Sequence, residues 1–106
     1  MKILIAPSFG AGWSTWSYEG KKHEIATYKP IIDYIEAGGD RNGLVTVNEG
    51  SLVQRMLDDL ELNSFYTGAA LDLVVDEIPD GSFYRLMEFD GSESLETPGA
   101  VEWWNV

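Results

Sequence analysis

The residues in this chain that could do chemistry are few and scattered. Gly10-Ala11-Gly12-Trp13-Ser14-Thr15-Trp16 offers glycine backbone donors and two hydroxyls just after a short apolar run, where phosphate-cradling loops are found. It lacks the Gly-Lys-Ser/Thr ending of such a loop and the third glycine of a dinucleotide fingerprint. Its tryptophans also stand where a phosphate needs close backbone approach. His23 is the single imidazole, and only Glu24 is evident beside it, with no nucleophile or metal partner. Asp90-Gly91-Ser92-Glu93 spaces oxygen donors as a calcium loop does, but the twelve-residue pattern is absent and Asp-Gly-Ser is ordinary turn chemistry. Many carboxylates are available, and none is marked as half of a glycosidase pair. No residue is therefore assigned a catalytic, cofactor-binding or metal-ligating role, and an enzyme is the least favoured reading.

Charge is the stronger signal. The chain has 18 acidic and 7 basic residues, a net charge of -11. Five acids and five bases balance over the first 41 residues, so the whole negative charge follows Arg41, where only Arg55 and Arg85 oppose it. Such a field disfavours nucleic acid and anionic membrane and speeds encounter with basic surfaces. Cysteine is absent, which excludes disulfides, thiolate nucleophiles and thiolate metal sites. With 44% hydrophobic and 12% aromatic residues over 106 positions, one globular domain spanning 1–106 is expected. The apolar run near the N-terminus is too short for a signal peptide or a membrane span, so a soluble, cytoplasmic protein is expected.

The elements that must position these groups read as follows. Ile3 to Ala6 suits a buried first strand ended by Pro7, and the Gly/Trp segment a loop of fixed shape whose indoles either plug the core or anchor a partner. Tyr18 to Glu24 reads as an exposed connection. Thr27 to Ala37 is a predicted helix, with Pro30 in its first turn and Gly38-Gly39 at its end. Leu44 to Val47 is β-prone. Ser51 and Gln54 form a capping box before the stripe Leu52, Val53, Met56, Leu57 and Leu60, the clearest helix of the chain. Ala70 to Ile78 and Phe83 to Phe89 are predicted to pair as a hairpin around Pro79-Asp80-Gly81-Ser82. Asp90 to Ser94 reads as a polar turn and Val101 to Val106 as a short closing strand. The sum is an α+β domain with a mainly antiparallel sheet of four or five strands and two helices.

Gly10-Ala11-Gly12-Trp13-Ser14-Thr15-Trp16, together with Ile78-Pro79-Asp80-Gly81 and Glu88-Phe89-Asp90-Gly91-Ser92-Glu93, resembles a set of small acidic bacteriophage and prophage proteins of unassigned activity. The resemblance implies a setting in which small, cysteine-free proteins inhibit host machinery, including anti-CRISPR and anti-restriction proteins. CRISPR effectors hold nucleic acid in basic channels, which segregated carboxylates can occupy. The chain lacks the extreme acidity of a full DNA mimic, which favours blockade of one local site.

The expected partner is thus a basic, nucleic-acid-handling host protein such as a CRISPR effector, with no direct nucleic acid, membrane or cofactor. The expected contact residues are Asp58, Asp59 and Glu61 at a helix end, Asp76, Glu77 and Asp80 at a hairpin tip, and Trp13 and Tyr66 as aromatic anchors. The alternative is a small-molecule or nucleotide-signal binder, with an indole stacking a base and the backbone of Gly10 to Gly12 meeting a phosphate.

Overall fold

β1 (Lys2–Ile5) leaves only Lys2 exposed, because it is packed from both sides. Leu4 and the following Ala6 join the main core, while Ile3 and Ile5 turn the other way, towards Tyr84, Leu86 and Leu95. The structure is a computed structural model that describes residues 1–98, so the expected strand over 101–106 lies outside the described residues.

Among the described residues four strands form two antiparallel pairs. β1 pairs with β2 (Val74–Glu77), placing Leu4 opposite Val75 and Lys2 opposite Glu77. β3 (Arg85–Phe89) pairs with β4 (Ser92–Glu96), placing Leu86 opposite Leu95 and Glu88 opposite Glu93. The expected hairpin between 70–78 and 83–89 does not form. Its second strand turns instead at Asp90-Gly91, where both residues take positive φ (49° and 85°), the two-residue turn whose twist suits a β-hairpin. Ser92-Glu93-Ser94, expected as a polar turn, is therefore the start of a strand. Its first half is shorter as well, since Ala70–Asp72 is a 3-10 turn.

Among the described residues α1 and α2 pack on the β1–β2 ribbon, and α3 packs against both of these helices. α1 (Lys22–Ala26) replaces the expected exposed connection and buries Ile25 and Ala26. α2 (Lys29–Glu36) buries Ile31, Ile32 and Ile35. Its end is closed by Gly38 N–H to Ile35 C=O (3.0 Å) and Gly39 N–H to Tyr34 C=O (2.8 Å), with Gly38 in the left-handed region. α3 (Leu52–Leu60) starts at Ser51, whose hydroxyl accepts from Gln54 N–H at 3.0 Å. The Gln54 side chain reaches forward to Asp58 (3.0 Å), so only half of the expected capping box is made. Residues 44–47 form no strand. Asp40 caps a 3-10 turn over Arg41–Leu44, which buries Leu44 and leaves Val45 to Val47 at the surface. The α+β class holds, with the sheet divided in two. No helix among the described residues is long and apolar enough to cross a membrane.

Candidate functional site

Two regions bear on function: the junction where the Gly/Trp loop meets the β3–β4 hairpin, and the carboxylates spread over α3 and β2. The fold brings Gly10–Trp16 together with Glu88–Glu93, two of the three segments that the resemblance rests on. Gly10 N–H donates to Asp90 C=O (2.6 Å), Ser92 Oγ to Pro7 C=O (2.6 Å) and Glu93 N–H to Ala6 C=O (2.8 Å). Gly91 permits this approach: a Cβ there would stand 2.3 Å from the Ala11 nitrogen.

At the centre of the junction lies Glu93, a carboxylate with only 1% of its surface exposed. One oxygen accepts from Ala6 N–H (2.9 Å), the other from Trp13 N–H (2.8 Å), Thr15 N–H (3.0 Å) and the Thr15 hydroxyl. A buried charge is tolerable only when its lone pairs are met by donors, and here four donors surround it. The loop, whose sequence disfavours a phosphate cradle, thus does gather donors around an anion, and that anion belongs to the same chain. The Glu93 oxygens face three N–H groups and a hydroxyl, surroundings suited to an anion and opposite to those of a cation site. Across the ribbon, Glu88 avoids the Glu93 charge by accepting from Gly91 N–H (2.6 Å) and Trp16 Nε1 (3.3 Å).

Both anchor candidates belong to this region, with different exposures. Trp13 is fully buried, edge-on to Phe65 at 4.7 Å between ring centroids, so it is a core plug and offers no surface to a partner. Tyr66 is 55% exposed and stacks on Trp16 at 5.8 Å. Beside them Thr15, Lys22, His23, Tyr84, Leu86 and Glu88 line an open cleft of about 400 Å³. His23 Nδ1 meets the Tyr84 hydroxyl there. Burial and the nearby Glu24 charge push the Tyr84 hydroxyl upward in pKa.

The surface carboxylates are engaged unequally. Asp58 is exposed and accepts only from the Gln54 amide (3.0 Å). Asp59 accepts from the Tyr28 hydroxyl (2.5 Å) and lies 3.7 Å from Arg55 Nε. Burial and the Asp59 charge raise the Tyr28 hydroxyl to about 12. Glu61 follows α3 in the left-handed conformation (φ 58°), a position that favours glycine. Asp58 and Asp59 join Glu49, Gln54 and Arg55 in a shallow cleft of about 660 Å³. On the other group, Asp76 accepts from Glu77 N–H (2.9 Å), Glu77 faces Lys2 across the ribbon, and Asp80 pairs with the Met1 ammonium (2.5 Å). That ammonium holds the Asp80 carboxyl below its usual range. These three do not sit at a hairpin tip, because β2 pairs with β1 and leaves them on an edge strand and the turn after it. Both acidic groups lie on elements that pack against α2, whose own Asp33 and Glu36 are neutralised by Lys29 (2.6 Å) and Lys2 (2.7 Å).

Sequence reasoning missed Glu93 and Glu19. Glu19 accepts from the backbone of Asn63 and Ser64 (3.0 and 3.2 Å), which lowers its pKa and ties the loop before α1 to the chain after α3. For Glu93 a signal existed, an acid in the hairpin that accompanies a loop rich in glycine and hydroxyls. For Glu19 none did. No protein-family model matches the chain, and the searches of curated proteins and of solved structures gave no match.

Proposed function

We propose that the protein acts by binding: it docks on a basic, nucleic-acid-handling protein through its carboxylates and, in the phage setting that its motifs resemble, inhibits a host defence nucleoprotein such as a CRISPR effector. The observation that carries this reading is the cleft along α3, where Glu49, Asp58 and Asp59 face a single guanidinium, Arg55. Its size suits Lys or Arg side chains, and its excess of carboxylates complements a surface built for phosphates. Glu61, just after α3 and outside this cleft, is an exposed acid in a backbone conformation that a glycine would adopt at lower cost, so that position is not explained by stability. Asp76 and Glu77 supply a second exposed acidic edge, and Tyr66 an exposed ring. Against the nucleotide reading stands the use of the loop's own donors, since Gly10 N–H is bonded to Asp90 and Trp13 and Thr15 N–H to Glu93.

The test is protection of a targeted phage. Expression of the chain in a host with an active CRISPR system should raise plating efficiency, and D58N/D59N/E61Q should abolish that gain at equal protein level. Undiminished protection by the triple variant would remove α3 from the contact. Absence of protection across CRISPR and restriction hosts would overturn the inhibitor reading.

A further inference from the structure

The outward face of the β3–β4 ribbon differs from the rest of the surface. Alternation along β3 turns Leu86 inward and places Arg85, Met87 and Phe89 outside, opposite Glu96, Ser94 and Ser92. Phe89 is 72% exposed and meets the 71% exposed Phe9 edge-on, Met87 is 43% exposed, and Phe83, just ahead of the strand, is 83% exposed. Together they present roughly 500 Å² of apolar surface, the upper end of what a monomer leaves uncovered. This is less than the ~800 Å² per partner of a standard interface, an area that suits a weak, concentration-dependent contact. Charge is sparse: Arg85 with its partner Glu96 (2.7 Å) at the open end, and Asp90 at the turn end. A face with one guanidinium and so few carboxylates does not suit the basic partner proposed above.

We infer that this face pairs with the same face of a second copy of the chain, the two ribbons stacking about a two-fold axis that crosses the strands at Met87. Such an axis reverses strand direction, so the turn end of one ribbon covers the open end of the other. Asp90 of each copy then meets the Arg85–Glu96 pair of its mate, Phe89 lies over the Arg85 stem and guanidinium, and Phe83 reaches the Phe9–Phe89 edge. The alternative axis, along the strands, would crowd both Asp90 side chains at one end and lay Phe89 over Ser92 in place of the Arg85 stem. The charge pattern selects the first. Met87, the middle residue of the five in β3, is then its own neighbour across the axis.

Sedimentation of the full chain from micromolar to millimolar concentration tests this. The wild type should pass from monomer to dimer. Met87→Glu and Met87→Lys should each be monomeric throughout, because each sets like charges against each other on the axis, and an equimolar mixture of the two should dimerise again. Both changes are at an exposed position, so circular dichroism and the unfolding midpoint should stay at wild-type values. A wild type that stays monomeric would overturn the inference, as would a dimer that survives Met87→Glu. A mixture that fails to reassociate would overturn the axis.

Discussion

The loop–hairpin junction and the acidic surface are both built from carboxylates, yet they treat them in opposite ways. At the junction one carboxylate is taken fully out of water and met by four donors, so its charge does its work inside the chain. On α3 the carboxylates lie at the surface, Asp58 with one amide contact and Asp59 with the Tyr28 hydroxyl and Arg55, and each keeps an open side for whatever approaches. The same functional group is structural where donors converge on it and available where they do not. Composition reports the total of such groups and is silent on this division.

Breaking the junction should have the largest effect. Glu93→Ala leaves three backbone N–H groups and a hydroxyl buried without an acceptor, and should destabilise by about 4 kcal/mol in urea unfolding. Trp13→Ala, a fully buried indole, should cost a similar ~3–5 kcal/mol. Gly91→Ala should also unfold much of the population, since its Cβ would meet backbone at 2.3 Å and its φ is positive, and the circular dichroism of the variant would show it. Smaller and opposite in sign is Glu61→Gly. Relieving a left-handed non-glycine residue should raise stability by about 1 kcal/mol, while partner binding falls.

Two pH limbs sharpen the comparison further. The folded-state pKa of Glu19 is lowered, so its stabilising contribution is complete above the ordinary carboxylate range and is lost as pH falls through that lowered value; Glu19→Gln should flatten the acid limb of stability. Tyr28 is raised from 10.0 to about 12, so its contribution is complete below pH 10 and is lost as pH rises towards 12; Tyr28→Phe should flatten the alkaline limb. The smallest expected effect on folding is that of D58N/E61Q, two exposed carboxylates outside the Tyr28–Asp59 bond, whose unfolding midpoint should remain near the wild type.

The parts of the fold legible in sequence are those fixed by local chemistry. The 3.6-residue stripe and Ser51 mark α3, Pro30 and Gly38-Gly39 mark α2, and the isoleucine-rich start marks β1. Strand pairing was not legible, because it depends on which ribbon covers which. Val74 to Glu77 carries no sign that it belongs to the N-terminal strand, and Ser92-Glu93-Ser94 looks polar because one of its residues is a buried acid. The strength of the Asp90-Gly91 turn was available in sequence and was outweighed by the apolar run over 70–78. At the site, the fixed shape of the Gly/Trp loop and the core-plug alternative for Trp13 were legible, whereas its grip on a carboxylate was not, since Glu93 lies 80 residues from Trp13 in the chain.

The most direct test of the division between internal and available carboxylates is the urea unfolding midpoint of Glu93→Gln beside that of D58N/E61Q. The first keeps the side chain's size and removes its charge, and should lose about 3 kcal/mol, because an amide cannot accept as the carboxylate does from four donors. The second should unfold with the wild type. Equal midpoints for Glu93→Gln and wild type would contradict the account, since the buried carboxylate would then not be what holds the loop to the hairpin.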